Sequence, residues 1–299
     1  MGAWRMIRSA PTIVLVTMLL AGCASTPIDG DQPAVVIERG PAPSYDEVAA
    51  VVNARAAALE RIYAFATLHV WQKDDKGVEQ EDQFELKVML AQPQRVNIRF
   101  QLATVELAVL GCDENEYWWI NLRDERRAWV GTHDRATPQL MANFVLPIHP
   151  QDFVQLMGMT AMPAEQGDAT VAWSANGRYL EVETATRFGR RRTMLEPVEG
   201  GYDPVRIELF DENGDVTVWS ELTKYEAFKP RRGEGWQRVA SEIHFYLASG
   251  QARARLRPQY DGPQRVRDQA FDRVRLFKAY KIGPEDVELL DNMMADGAG

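Results

Sequence analysis

Leu107-Ala108-Val109-Leu110-Gly111-Cys112-Asp113-Glu114-Asn115-Glu116-Tyr117-Trp118-Trp119-Ile120-Asn121-Leu122 (LAVLGCDENEYWWINL) decides how the rest of this chain is read. An apolar run enters a short, mostly acidic stretch and leaves as an aromatic run of similar length. Short apolar runs joined by a polar turn read as two strands of a hairpin. Trp118 and Trp119 are neighbours on the second strand, so they point to opposite faces and at most one lines an interior. Working upstream, Val96, Ile98, Phe100 and Leu102 alternate with polar residues, and Pro93 separates them from Phe84, Leu86, Val88 and Leu90. A turn at 73–77 precedes these, and before it residues 63–71 again alternate with period two. Downstream, 127–130 forms a further strand. Successive strands at hairpin spacing are the pattern of an antiparallel meander.

Two segments break the period. Residues 137–159 (TPQLMANFVLPIHPQDFVQLMGM) are apolar without alternation; Pro150 and Asp152 read as a helix start, with Phe153, Leu156, Met157 and Gly158 as its apolar side and stop. Before the first strand, Ser44 and Glu47 have the spacing of a capping box. Tyr45, Val48, Val52, Arg55, Leu59 and Ile62 follow at helical intervals, which predicts an amphipathic helix over 44–61. Strands resume at 170–173, 179–184, 192–197, 204–210, 216–225, 236–247, 251–257 and 271–277. Asn176-Gly177 and Asn213-Gly214 sit where hairpin turns want positive φ. The acidic tail, 284–299, carries Val287, Leu289, Leu290 and Met293, which form a short docked helix or fray. The expected fold is mainly β: a strongly curved antiparallel half-barrel of about ten to twelve strands wrapped over an N-terminal and a mid-chain helix.

The N-terminus carries an address. Arg5 and Arg8 precede an apolar core at 11–20, too short to span a bilayer, which takes about 20 residues as helix. It ends in Leu20-Ala21-Gly22-Cys23, which resembles the lipobox of bacterial lipoproteins. That resemblance implies removal of 1–22 as a signal peptide and attachment of acyl chains, such as palmitate, to Cys23. Two or more chains give stable membrane anchoring. Residues 24–43, rich in Pro, Asp, Gly and small residues, read as a flexible tether, with an end-to-end distance of roughly 25 Å. The domain proper is then 44–283. The expected location is the cell envelope; in a diderm, Ala24 after the acylated cysteine points by analogy to the outer membrane, facing the periplasm.

Composition narrows the function. With 45% hydrophobic residues in 299, a sizeable core can form, and the net charge of −9 argues against nucleic acid as a partner. Arg190-Arg191-Arg192 and Arg231-Arg232 are read as solvated turns or strand ends. Beyond Cys23 the one other cysteine, Cys112, reads as a small buried side chain. The four histidines show no metal spacing, and no nucleophile elbow, zinc-protease motif, P-loop or dinucleotide fingerprint is present, so no enzyme, cofactor or metal is expected. His133 beside Asp134, and His149 near Asp152, read as ordinary surface residues rather than acid–base pairs.

The order of elements — lipobox, tether, helix, meander with its apolar–Gly–acidic-turn–aromatic segment at 107–122, short helix ending in Leu156-Met157-Gly158, then hairpins including Pro204-Val205-Arg206-Ile207-Glu208-Leu209 — resembles the LolA/LolB-like lipoprotein-carrier superfamily. The resemblance covers most of 44–277 and implies a half-barrel enclosing an apolar cavity. Phe84, Leu86, Val88, Ile98, Phe100, Leu107, Val109, Trp119, Phe144, Phe153 and Met157 are the residues expected on its inner surface. Such a cavity would take an acyl chain, a lipid or a lipoprotein, with 137–159 as lid. The alternative is a non-enzymatic structural, assembly or sensing lipoprotein with an envelope protein partner and no cargo.

Overall fold

The computed structural model describes residues 36–74, 76–123, 125–141, 148–186, 189–230 and 235–293. Residues 1–35, with the predicted signal segment and Cys23, lie outside this set, as do Arg231, Arg232 and Phe144. Helix α1 runs Tyr45–Ala58. The capping box is formed: the Glu47 amide donates to Ser44 Oγ (3.3 Å), and the Ser44 amide donates to Glu47 Oε2 (2.8 Å). The helix ends before the predicted residue 61, because Ile62 is already paired with Leu90 in the sheet and fully buried there. Residues 36–40, assigned to a tether from composition, run beside a later hairpin: the Ile37 amide donates to Asn176 O (2.9 Å), and Trp173 Nε1 donates to Gly40 O (3.1 Å).

The first meander comprises β1 (Arg61–Lys73), β2 (Glu79–Ala91), β3 (Arg95–Leu102), β4 (Val105–Cys112), β5 (Glu116–Asn121) and β6 (Arg127–Thr132). Between the meanders lie two short helices, α2 (Pro138–Met141) and α3 (Pro150–Leu156). The second meander is β7 (Thr170–Trp173), β8 (Leu180–Thr186), β9 (Gly189–Val198), β10 (Gly201–Phe210), β11 (Val216–Phe228), β12 (Gln237–Leu247) and β13 (Ala252–Asp261). Helix α4 (Arg273–Tyr280), β14 (Val287–Leu289) and α5 (Leu290–Met293) follow. All fourteen strands form one curved, unclosed sheet in the order β14-β6-β5-β4-β3-β2-β1-β13-β12-β11-β10-β9-β8-β7. The two meanders are thus sewn together by antiparallel pairing of β1 with β13, in register from Tyr63–Asp261 to Gln72–Ala252. Asn-Gly turns close the β7–β8 and β10–β11 hairpins, with Gly177 at φ +68° and Gly214 at φ +87°.

The sheet has more strands than the ten to twelve expected, and one predicted strand is a helix. Residues 271–277 are expected as a strand, but the Asp272 carboxylate accepts from the Arg275 amide (3.0 Å) and starts α4 instead. Leu276, Phe277 and Tyr280 then share one helical face and cover Val109, Trp118, Ile120 and Val130 on the convex side of the sheet. The tail supplies the additional strand: β14 lies parallel to β6, pairing Val287 with Ala128 and Leu289 with Val130. On the concave side, Ile62, Ala64, Ala66 and Leu68 of β1, Leu86, Val88 and Leu90 of β2, and inward residues of β3–β5 and β10–β13 form one buried cluster with α3. Helix α1 packs Tyr45, Val48 and Ala49 against Leu180, Val182 and Leu195 nearby.

Candidate functional site

Helix α3 is the centre of the concave face. His149 is its N-cap, Pro150 occupies the first turn without sacrificing a needed amide, and Gly158 at φ +69° ends the segment. A Cβ at Gly158 would lie 2.8 Å from both Pro204 Cγ and Leu222 Cδ2, so the close approach to the sheet also requires glycine there. Phe153 stacks on Phe245 of β12, ring centroids 5.4 Å apart. Val154, Leu156, Met157 and Met159 are buried with it.

Most of the residues predicted to line a cavity meet here. Leu86, Val88, Ile98, Phe100, Trp119, Phe153 and Met157 are buried members of the concave cluster, with Phe84 packed against it. Phe100 contacts both Phe84 and Trp119. Val109 points the other way, into the convex cluster under α4, because it alternates with the inward Ala108 and Leu110. Leu107 is half-buried at the irregularity where Phe100 pairs with Ala108 and Gln101 with Glu106. Phe144 lies outside the described residues. Instead of facing an open hollow, the inward side chains pack on α3. Among the described residues, a cavity of about 20 Å³, room for one water, lies where α1, the end of the α3 segment, β9 and β10 meet, and an open one of about 490 Å³ lies beside Phe228 and Tyr260.

Polar ties hold both ends of this plug. At its start, the buried His133 and His149 are 3.2 Å apart (Nδ1 to Nε2). The Gln151 amide can only donate, so His149 Nδ1 accepts from it (3.2 Å) and His149 Nε2–H faces His133 Nδ1; His133 Nε2–H then donates to Asp113 O (2.8 Å). Tyr117 packs on His149 at 5.0 Å. The reading of these histidines as surface residues is therefore corrected: the 113–116 turn and α3 close over them. At its end, Ser220 Oγ donates to Leu156 O (2.6 Å), Arg55 Nη1 to Gly158 O (2.7 Å), Gln92 Nε2 to Met159 O (2.9 Å), and Arg191 Nη1 to Thr160 Oγ1 (3.1 Å).

Arg191 is the other residue that the sequence reading misplaced. Its neighbours Arg190 and Arg192 reach Glu183 and Glu208 on the convex side, but Arg191, the middle residue of a strand triplet, points inward and is 6% exposed. Its Nε has no hydrogen-bond partner; the same holds for Gln155 Oε1 and Thr184 Oγ1. Burial pushes the guanidinium below its ordinary range, against the through-space effect of Tyr45 and Asp152. Strand alternation alone would have located this side chain. Cys112 is buried, with Sγ donating to Gln94 O (3.0 Å). Among the described residues no group of three or more His, Cys, Asp or Glu side chains is placed to hold a metal ion, and no helix is long and apolar enough to cross a membrane.

No family model matches the chain, and no curated protein matches it. Solved structures do. A LolA superfamily protein from Nitrosomonas europaea is similar at 11% identity and TM-score 0.48, over 76% of this chain and 98% of its own. A domain assigned to outer membrane lipoprotein sorting, from Vibrio parahaemolyticus, is similar at 10% identity and TM-score 0.46, over 76% and 97%. A DUF1329 family protein from Desulfovibrio piger is similar at 10% identity and TM-score 0.47, over 76% and 95%.

Proposed function

We propose that this chain is a lipid-anchored protein of the cell envelope that binds an acyl chain in the space α3 occupies at rest. The supporting observation is the character of α3 itself. It is a seven-residue helix whose apolar side chains pack into the concave face, while hydrogen bonds tie its ends to the sheet and to α1. Burying the Phe153, Val154, Leu156 and Met157 side chains contributes on the order of 1.5–3 kcal/mol each, about 6–12 kcal/mol together. An acyl chain of about fifteen methylenes, at about 0.8 kcal/mol apiece, contributes about 12 kcal/mol. Lid and cargo are therefore nearly matched, which is the condition for exchange in both directions. The mechanism is non-catalytic: the lid leaves, the chain enters, and apolar burial replaces apolar burial. Anchoring through Cys23, on the outer membrane facing the periplasm in a diderm, would place the site beside its source of lipid.

Native purification from the producing cell, followed by mass spectrometry of extracted lipid, tests this. An acyl-bearing molecule near one per protein, beyond the anchor's own chains, is expected; consistently empty protein overturns the reading. The filled concave face also fits a second reading, an envelope structural, assembly or sensing lipoprotein without cargo. Crosslinking that returns one protein partner and no lipid favours it.

A further inference from the structure

The cavity at the end of α3 is lined by two guanidinium-bearing residues, Arg55 and Arg191, with Gln155, Gly158 and Thr160 from the lid segment, and by no carboxylate. Arg191 is buried with an unpartnered Nε. Arg190 and Arg192, on either side, each have a carboxylate within ion-pair distance. A buried charge without a counter-charge is strongly unfavourable, because the water it gave up is not replaced. In the closed form the cost is lowered by Tyr45 of α1 through space and by lid groups: Thr160 Oγ1 accepts from Arg191, Gly158 O accepts from Arg55, and Asp152 acts on Arg191 through space.

Displacing the lid segment removes the lid groups together and leaves only the Tyr45 hydroxyl nearby. The open concave face would then hold Arg191 among apolar residues, with no anion of its own to face it. A neutral chain entering there leaves the guanidinium uncompensated, whereas an anionic end supplies acceptors matched to its planar fork. Resting on the acyl-exchange reading above, we infer that Arg191, assisted by Arg55, is a headgroup site selecting cargo whose acyl chain ends in an anion, a carboxylate or a phosphate. The uncharged acylated terminus of a lipoprotein is selected against.

The test uses the full, anchored chain in micelles of an uncharged maltoside detergent. Photoreactive diazirine analogues of palmitic acid, hexadecanol and a lysophosphatidic acid are crosslinked, and the labelled peptides mapped by mass spectrometry. The acid or the phosphate should label the α1 and β9–β10 peptides about tenfold more than the alcohol, the scale of one charge-assisted pair. Which of the two labels more identifies a free fatty acid or a phospholipid as the source. Arg191→Gln should abolish the preference while its melting temperature is unchanged or higher, and Arg191→Lys should keep it. Equal labelling by acid and alcohol, or a preference surviving in Arg191→Gln, overturns the headgroup site and leaves acyl binding standing. Labelling by none of the probes overturns both.

Discussion

Phe153→Ala separates a removable lid from an ordinary piece of core. Phe153 is 2% exposed and stacked on Phe245 at 5.4 Å, so truncation removes a ring from a well-packed site. Such a change costs about 3–5 kcal/mol. If α3 opens as its own unit, that energy falls on the local opening equilibrium, which shifts tenfold for every ~1.4 kcal/mol. Opening should therefore rise by between about a hundredfold and a few thousandfold. Hydrogen exchange read by mass spectrometry should show amides of 150–159 losing protection on that scale. Peptides from β1 and β2, paired along their full lengths, should change little, and binding of an acyl probe should tighten. Parallel loss of protection in α3, β1 and β2, together with a large fall in melting temperature, would refute the reasoning: α3 would then be inseparable from the fold.

Other expectations concern the scaffold. Gly111→Ala places a Cβ 2.7 Å from Trp118 Nε1 in a packed convex cluster and should destabilise by about 1–3 kcal/mol, read as a lower denaturant midpoint; an unchanged midpoint contradicts the close approach. Ser44→Ala should cost about 1 kcal/mol through loss of the α1 cap, and no loss would mean that the first turn is held by tertiary contacts alone. Burial acts to raise the Glu242 carboxyl, but hydrogen bonds from Lys224, Arg257 and His244 prevail and hold it down at about 2. Its folded value lies below the unfolded value of about 4.3, so the carboxylate stabilises above that pH and the contribution is lost as pH falls toward about 2. Glu242→Gln should accordingly melt below the wild type at neutral pH, with the gap closing in acid; a gap of the same size at both ends would count against the network.

Much of the sheet was legible because its residues obey period two, and where alternation was applied strictly it located side chains as well: Trp119 faces inward and Trp118 outward. The errors have local causes. Residues 271–277 are a short, partly apolar run that either a strand or a helix accommodates, and the capping carboxylate of Asp272 tips the choice. Ile62 continues the helical spacing of α1, yet the long β1–β2 register claims it. His133 and His149 are buried by contacts between segments sixteen residues apart, which no local pattern reports. The filling of the concave face was illegible for a different reason. Periodicity says which side chains point inward, but not how much of the enclosed volume a seven-residue helix occupies.

The pairing of β1 with β13 carries a consequence for biogenesis. The first strand to be synthesised finds its β2 neighbour at once, but its opposite edge stays bare until Ala252–Asp261 has been made. Through that interval a long row of unsatisfied amides and carbonyls is offered to any passing strand, including that of another nascent copy. Closure across so great a sequence separation is also slow. Aggregation when the chain is truncated before residue 252 is the expected outcome of this seam.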